Sequence, residues 1–516
     1  MITHLKNTFP WNYFLFIILA LKALLVYFFV IYSGIGLGPD EAQYWTWSQE
    51  PDWGYYSKPP GIAWQIWLGT HLFGQTEWGV RSVSVLLSAV QVYLVYRLAL
   101  SAGLFSRTAF WCALIMALTP LGFAGSFFAI TDMGFLLCWT GACLTVVDAL
   151  RRGEAPYPLH SAAWIIGGAL FKWPIYLFWV FAFCARRWYF PEQKIRVFAV
   201  GVLISFIGLL PSIWWNGSHD WATFRHVFST LQGGGSGHQA GGNPFEFIAS
   251  QAMLFSPILF ILLSYAFWKW LRERETLSPP LFFCGFVTIF SLGFACVLPA
   301  FQKLQGNWVI FAYPTGIIIL GWYAFHKRSS IILPVKIGIG ISLATLAFVL
   351  YLPLSYSNTS TVLPHKMNPL KHNMGWTALA PILEKYGYDP VYNFLIGDKY
   401  QTASILSFYG PGQKRAYFLN LHGIRNNQFS YWPQLQEEQK HRTGYFIWIE
   451  NAPHLEGGWL TKRDEYLAEL KQYFEKVEFL ELAPLIYQGS VLVKAVMIFR
   501  CQNCIEAILN EPSHYW

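Results

Sequence analysis

Long apolar runs separated by short polar loops fill the first two thirds of the chain. The first run, residues 11–33, exceeds the roughly 20 residues needed to cross a bilayer and lacks a small-residue cleavage site, so it predicts a retained first helix. Similar runs follow near 81–100, 108–126, 133–150, 161–185, 197–215, 247–271, 281–300, 308–325 and 331–352. The pattern predicts an α-helical polytopic membrane protein.

The run at 161–185 is predicted to turn back inside the membrane. Only then do the basic loop residues, such as Arg107 and Arg151, all lie on the cytoplasmic side, as the positive-inside rule requires. Pro174, in FKWPIY, supplies the turn because it cannot donate a backbone hydrogen bond and disfavours helical geometry in the residue before it. With this hairpin counted as two short helices, we predict about 11 transmembrane helices and a cytoplasmic amino terminus.

The pattern changes after residue 352. The segments VYNFLI, GYFIWIE and AVMIFRC are typical of strands, and LTKRDEYLAELKQYFEKVEFL has helical apolar spacing. Acidic and basic residues balance there, so the net charge of +8 belongs to the membrane half and does not indicate nucleic-acid binding. We predict a transmembrane domain over 1–352 and a small soluble α/β domain over 353–516 on the periplasmic face.

Composition agrees with a membrane protein, since 54% of residues are hydrophobic and only 12% are charged. Six of the eight cysteines lie in or near the predicted spans, whereas Cys501 and Cys504, in CQNC, could pair in an oxidising periplasm. A zinc site would need two more ligands nearby, so no metal site is assigned, and participation of a divalent metal stays open. The outer-loop histidines, His219, His226 and His238, are either solvated or supporting groups.

The loop after the first helix, GPDEAQYWTWSQEPDWGYYSKPPG, carries the candidate chemistry. Carboxylates beside hydrocarbon are costly and usually mark a functional path, and Asp40 and Glu41 adjoin the first span. Asp132, in FFAITDMGFLL, lies at the outer end of the fourth helix. Lys58 is a point charge suited to a phosphate. We therefore expect a polar group at the outer membrane surface to bind among these residues.

Further substrate-binding candidates surround this set. The rings of Tyr55 and Tyr56 could stack on a sugar, although aromatic residues also form an interfacial belt in membrane proteins. Arg81, in GVRSVS, is a basic residue predicted on the outer side. Lys172 lies at the hairpin bend, where a lysine needs a partner or a water-filled cavity unless it snorkels to the interface.

The motifs GPDEAQYWTWS, YYSKPPG, GVRSVS, ITDMGFLLCW, FKWP, PSIWWNGSHDWATFRHV, IASQAMLFSP and QGNWVIFAYP occur in an order that resembles the bacterial family 39 glycosyltransferases. These are related to protein O-mannosyltransferases and to the lipid A aminoarabinose transferase, all of the GT-C fold. Ser57 stands where the aminoarabinose transferase has Glu, which argues against carrying over that sugar specificity.

The resemblance implies transfer of a sugar from a polyprenyl phosphate, with inversion, to a lipid, glycan or protein acceptor on the periplasmic face of the bacterial inner membrane. It places Asp40 on the family's first-loop catalytic acid, Glu41 on the neighbour of that acid and Asp132 on the second-loop acid, and all three are candidate catalytic residues. It places Lys58 on the lysine that meets the lipid phosphate. By their chemistry alone, a carboxylate would take the acceptor's proton, and we assign this to Asp40. A lipid-linked sugar flippase is the alternative, and a structural assembly protein is a third.

Overall fold

The computed structural model describes residues 10–231, 243–300, 304–327, 330–357, 363–421, 423–424, 426–451 and 458–505. The membrane half is helical: α1 Trp11–Tyr32, α2 Pro39–Gln49, α3 Gly61–Phe73, α4 Glu77–Ser101, α5 Ser106–Leu118, α6 Pro120–Phe127, α7 Thr131–Arg152, α8 Pro158–Ala169, α9 Phe178–Tyr189, α10 Ile195–Ser205, α11 Leu210–Ser218, α12 Ala222–Leu231, α13 Pro244–Phe255, α14 Pro257–Glu273, α15 Pro279–Val297, α16 Tyr313–Gly321 and α17 Ile332–Leu354.

Most of the apolar runs form helices long enough to cross a bilayer. Among the described residues, seven helices are long and apolar enough to span, or up to nine if the bent pairs α5–α6 and α13–α14 each count as one span. The helices α8 and α9 have 12 residues each, which is about 18 Å at 1.5 Å per residue and shorter than the hydrocarbon layer. Those two short helices make up the predicted hairpin, and the number of spans in a bilayer stays a prediction.

The chain reverses direction between α8 and α9, as the proline in FKWPIY predicted. Helix α10 runs parallel to α8 but antiparallel to α9. The parallel contacts pair Gly201 with Pro158 and Gly208 with Ile166, and the antiparallel contacts pair Tyr176 with Phe206 and Phe183 with Phe198. The helices α8 and α9 are therefore antiparallel to each other, and Lys172 lies at the turn between them.

The part beyond α17 contains a five-stranded sheet in the order β2-β1-β3-β5-β4. Its elements are α18 Leu379–Lys385, β1 Asn393–Gly397, α19 Tyr400–Tyr409, β2 Tyr417–Phe418, α20 Leu435–Glu438, β3 Thr443–Asn451, α21 Gly458–Leu470, β4 Phe474–Gln488 and β5 Val491–Cys504. Strand β1 pairs in parallel with β2 and β3, and β5 pairs antiparallel with β3 and β4. Three predicted strand segments coincide with β1, β3 and β5.

One expectation for this part differs from the structure, and one open question is answered. The segment LTKRDEYLAELKQYFEKVEFL was expected to be one helix, but α21 ends at Leu470 and β4 begins at Phe474. The residues after the break pair with β5 along its length, and this pairing outweighs the local helical spacing. Cys501 and Cys504 are free thiols, and their odd spacing on β5 directs them to opposite faces of the strand.

The sheet part packs directly on α2 and α3 of the membrane half. A single apolar core joins α2 and α3 to α18, α19 and the facing side of the sheet. In this core the ring of Trp45 meets the ring of Phe408 edge-on at 4.9 Å. The loop that carries the candidate chemistry is thus covered by residues from beyond 352. Whether 353–516 is a separate domain stays a prediction.

Candidate functional site

The two neighbouring acids Asp40 and Glu41 lie in the first turn of α2. Gly38 is the N-cap and Pro39 follows it at the first helical position, which suits the fixed φ of proline. Carboxylates in a first turn are also favoured by the helix dipole. Successive residues on a helix point about 100° apart, so the two side chains enter different surroundings.

Glu41 points into the protein and forms a closed ion pair with Arg81. Arg81 donates from Nε to Glu41 Oε1 at 2.9 Å and from Nη2 to Oε2 at 2.7 Å. The backbone N–H of Gly38 donates to Oε2 at 2.9 Å, and that of Ala129 donates to Oε1 at 3.0 Å. The side chains of Glu41 and Arg81 are 2% and 0% exposed. Both oxygens of Glu41 are therefore already engaged by the protein.

Arg81 was predicted to bind substrate, and its contacts point to another role. Besides Glu41, it donates to Gly36 O at 2.8 Å, and its guanidinium lies 4.5 Å from the ring centre of Phe127. A charge this deeply buried is retained only where it is paired and hydrogen-bonded. Arg81 and Glu41 together join α2, α4 and the residues before α7, and we interpret them as positioning residues rather than groups that touch a substrate.

Asp40, in contrast, is reached by solvent, and its charge interacts with that of Lys58. Desolvation by the surrounding protein raises the pKa of Asp40; the charge of Lys58 opposes the rise and that of Glu41 adds to it. Lys58 lies on a tight turn in which the N–H of Tyr55 donates to Lys58 O at 3.1 Å. The result is a carboxylate whose proton affinity is enhanced beside a cation, which suits proton transfer near an anionic group.

Asp132 forms a second, more open acidic position. It lies in the first turn of α7 and accepts a hydrogen bond from Lys172 Nζ at 2.8 Å. Asn307 Nδ2 lies 3.4 Å from each oxygen of the same carboxylate. The side chains of Lys172 and Asp132 are 17% and 10% exposed, so this pair is accessible where the Glu41 pair is not.

Tyr44 links the two acidic positions. Burial raises the pKa of this phenol well above its ordinary value, and the charges of Asp40 and Asp132 both raise it further. Both carboxylates therefore lie near Tyr44, although they belong to α2 and α7. Tyr400, at the start of α19, acts on Tyr44 in the same direction and brings the sheet part to this position.

The rings of Tyr55 and Tyr56 are not available as a sugar platform. Tyr55 is fully buried, its ring is stacked on Trp47 at 4.7 Å, and its hydroxyl donates to the carbonyl of Trp47 at 3.0 Å. Tyr56 is also buried, and its ring lies 5.2 Å from that of His226. Stacking on a sugar needs an open ring face, so the prediction for these two residues is not supported by their environment.

Three loop histidines and a metal ion were the remaining candidates for the site. The ring of His219 is stacked on Trp215 at 4.0 Å, and His226 packs on Tyr56, so both serve as packing groups. His238 lies outside the described residues. Within the described part of the chain, no group of three or more His, Cys, Asp and Glu residues could hold a metal ion.

Sequence reasoning did not select several residues that the structure brings to the site. Asn307 reaches Asp132, whereas Asn373, Tyr409 and Gln428 reach the two loops around Asp40 and Lys58. These residues lie far along the chain from their partners and carry no charge. The QGNW motif was a sequence signal at Asn307.

Comparison with known proteins agrees with this architecture. Residues 57–215 match the family described as dolichyl-phosphate-mannose-protein mannosyltransferase. The chain is 26% identical over 332 residues to the lipid A galacturonosyltransferase RgtD of Rhizobium johnstonii, covering 64% of this chain and 67% of that protein. It is 30% identical over 219 residues to an undecaprenyl phosphate-alpha-4-amino-4-deoxy-L-arabinose arabinosyl transferase of Pseudomonas aeruginosa, covering 37% of this chain and 39% of that protein.

Among solved structures, ArnT from Cupriavidus metallidurans bound to undecaprenyl phosphate matches with a TM-score of 0.61 at 14% sequence identity, covering 94% of this chain and 97% of that chain. Its apo form matches with a TM-score of 0.59 at 16% identity. The protein is therefore a multi-pass membrane protein with the GT-C fold. It is related to the family 39 type of glycosyltransferase, and the resemblance stated from its motifs is confirmed.

Proposed function

We propose that this protein is a membrane glycosyltransferase that moves a sugar from a polyprenyl phosphate to an acceptor on the periplasmic face. The observation that carries the proposal is the ion pair of Asp132 with Lys172 at 2.8 Å, near a second acid, Asp40, whose charge interacts with Lys58 and acts with that of Asp132 on Tyr44. These acids come from separate elements: Asp40 lies in the first turn of α2, shortly after the apolar helix α1, and Asp132 lies in the first turn of the apolar helix α7. Such a charged cluster beside hydrocarbon suits a substrate that is polar at one end and lipid at the other.

Asp40 and Lys58 divide the chemistry of transfer between them. The acceptor oxygen attacks C1 of the sugar from the face opposite the phosphate, so the C1–O bond to phosphate breaks and the configuration at C1 inverts. Asp40 takes the acceptor's proton, a contribution of typically 10² to 10⁴ in rate. Lys58 stabilises the electron pair that leaves with the lipid phosphate.

Asp132 and Lys172 are a second pair of charged residues in the same proposed site. Their single contact at 2.8 Å leaves the other Asp132 oxygen with only the longer contact to Asn307. Sugar or acceptor hydroxyls can donate to that oxygen, and Lys172 has two further protons to donate. We propose that this pair orients the sugar ring or the acceptor relative to Asp40.

The names of the relatives support an enzyme over a flippase. RgtD is named as a lipid A galacturonosyltransferase, and the other relative is named for a sugar carried on undecaprenyl phosphate. The acceptor that fits these names is lipid A, with another envelope glycan or a protein as wider alternatives. The acids lie at helix ends rather than along the middle of a span, which also differs from a transport path.

Incubation of the purified protein with labelled polyprenyl-phosphate sugars and a lipid A acceptor tests the proposal. We expect release of lipid phosphate together with label in the acceptor. Movement of intact labelled lipid across vesicles without release of lipid phosphate would instead establish a flippase. The Asp40→Asn variant serves as the control for background hydrolysis.

We also propose an orientation in which the amino terminus is cytoplasmic and residues 353–516 lie in the periplasm. The antiparallel pair α8 and α9 puts the residues before α8 and after α9 on one side, and α10 with α11 crosses to the other. Cysteines at the exposed positions Glu192 and Ser218 test this with a membrane-impermeant thiol reagent. Labelling of only the second from the periplasm is expected, and labelling of both from one side would overturn the orientation.

A further inference from the structure

The short connection between α1 and α2, which sets the position of Asp40, is held by residues from beyond α17. The backbone N–H of Leu37 donates to the hydroxyl of Tyr409 at 2.6 Å. The N–H of Gly36 donates to Asn373 O at 2.7 Å, and Asn373 Nδ2 donates back to Gly36 O at 3.2 Å. The two residues immediately before the N-cap of α2 are thus tied to the sheet part.

The hydroxyl of Tyr409 is held in place by two hydrogen bonds. Its hydroxyl accepts from Leu37 and donates to Glu77 Oε1 at 3.0 Å, so both functions of the phenol are used. Burial and the charge of Glu77 raise the pKa of Tyr409 well above its ordinary value, which keeps the donated proton in place. A Cβ at Gly36 would lie 2.5 Å from the Tyr409 hydroxyl, so this approach needs a glycine.

The loop that carries Lys58 is held in the same way from a different residue. The backbone N–H of Tyr56 donates to Gln428 Oε1 at 2.7 Å, and both groups are buried. On the membrane side, Thr223 Oγ1 donates to Tyr55 O at 2.9 Å. Gln428 is therefore the contact through which the sheet part fixes the backbone two residues before Lys58.

We propose that residues from beyond α17 complete the catalytic site, with Tyr409 and Asn373 as positioning residues for Asp40 and Gln428 as the positioning residue for Lys58. The inference rests on the proposed function, because Asp40 and Lys58 have their roles only in a transferase. It makes the sheet part a component of the site rather than an appended domain. Tyr409 and Asn373 act on Asp40, whereas Gln428 acts on Lys58. Loss of the first contacts and loss of the second should therefore change different kinetic parameters.

Tyr409→Phe removes one hydroxyl and keeps the ring. Loss of one hydrogen bond that positions Asp40 should lower kcat about tenfold, while the KM for the lipid-linked donor stays within about twofold. Gln428→Met removes the acceptor for Tyr56 at similar length and should raise the donor KM about tenfold with a smaller change in kcat. Tyr445→Phe is the matched control, since its hydroxyl donates to the carbonyl of Tyr386 at 3.0 Å, away from the segment before α2.

Backbone hydrogen exchange of the full-length protein in lipid nanodiscs gives a readout that does not depend on activity. Tyr409→Phe should speed exchange in a peptide covering 34–41 and leave strands β3 and β5 as slow as in the wild type. Tyr445→Phe should leave 34–41 unchanged. Together with the kinetic split, this result would establish positioning of Asp40 from the sheet part.

Three results would overturn the inference. One is unchanged kcat in Tyr409→Phe despite faster exchange at 34–41, and another is unchanged exchange there. The third is an equal loss of activity in Tyr445→Phe, which would indicate a general effect on stability. A wild-type protein without transferase activity would refute the proposed function, and with it the catalytic roles, whereas the exchange experiment would still decide whether Tyr409 holds the segment.

Discussion

Two carboxylates that are neighbours in sequence occupy opposite kinds of surroundings. Glu41 is buried, and Arg81 and two backbone N–H groups occupy its oxygens. Asp40 is reached by solvent, and its pKa is raised by desolvation with Lys58 as the opposing charge. A fully paired buried charge cannot exchange protons with a substrate, whereas an exposed one with raised proton affinity can. We therefore expect Glu41 to have a structural role and Asp40 a catalytic one, although both lie in the same helical turn.

The basic partners repeat this difference. Arg81 donates two hydrogen bonds to Glu41 and is fully buried. Lys172 donates one hydrogen bond to Asp132, and its side chain is partly accessible to solvent. Arginine suits a fixed bidentate pair, and lysine can move its point charge to a new anion. We therefore expect substitutions in the Glu41 pair to change stability and substitutions around Asp40 and Asp132 to change rates.

The largest effect should come from breaking the closed pair. Arg81→Met leaves Glu41 as a buried charge without its partner, a change that typically costs about 3–5 kcal/mol. Thermal unfolding in detergent should show a large fall in Tm, with poor expression. Lys172→Met is the matched comparison and should lower Tm less, because the side chains of its pair keep 17% and 10% of their exposure whereas those of the Arg81 pair keep 0% and 2%.

The second largest effect is expected on the KM for the lipid-linked donor when Lys58, the proposed partner of the lipid phosphate, is removed. Lys58→Ala should raise the KM for the lipid-linked donor about 10- to 100-fold, the range for a hydrogen bond to a charged group, with Tm nearly unchanged. Arg225→Ala removes another basic residue, one whose salt-bridge partner is the exposed Asp220, and should leave KM within about twofold. Equal effects of the two substitutions would point to a general electrostatic field instead of a phosphate contact.

A smaller loss is expected at the second acid. Asp132→Asn keeps the shape of the side chain but weakens its hold on Lys172, so turnover should fall about tenfold, less than for Asp40→Asn. Steady-state rates at saturating donor and acceptor measure this. A larger loss at Asp132 than at Asp40 would exchange the proposed roles of the two acids.

The smallest predicted change is a shift in pH dependence. Because the pKa of Asp40 is raised, activity should fall on acidification at a higher pH than for an ordinary aspartate, as the folded protein takes up this proton. Lys58→Ala removes the charge that opposes the rise, so the acidic limb should move to still higher pH. A profile of kcat against pH checks the direction, and a shift to lower pH would contradict it.

The sequence predicted the features that depend on local chemistry. The turn at Pro174 follows from the missing N–H of proline. Lys172 and Asp132 were each expected to have a partner or a functional role, because a charge beside hydrocarbon is costly. The structure pairs them with each other. The strand segments with β-branched and aromatic residues were also predicted, whereas the end of α21 was not, because pairing with β5 decides it.

What could not be predicted depends on contacts distant in sequence. The Leu37 contact to Tyr409 joins residues 372 positions apart, and no local pattern predicts a contact over that distance. The inward direction of Glu41 and Arg81 was missed for the same reason, since polarity alone does not show which of two adjacent acids is buried. Tyr55 and Tyr56 have the composition of a sugar platform but are used as packing.

The most direct test of the contrast between the two acids is the pair of matched substitutions Asp40→Asn and Glu41→Gln, each measured for turnover per folded molecule and for Tm in the same lipid nanodiscs. Asp40→Asn should lose about 10² to 10⁴ in turnover, with Tm unchanged or raised because a desolvated charge is removed. Glu41→Gln should lower Tm strongly, since it leaves Arg81 buried without its counter-charge. Near-normal turnover in Asp40→Asn, or a wild-type Tm in Glu41→Gln, would contradict the account.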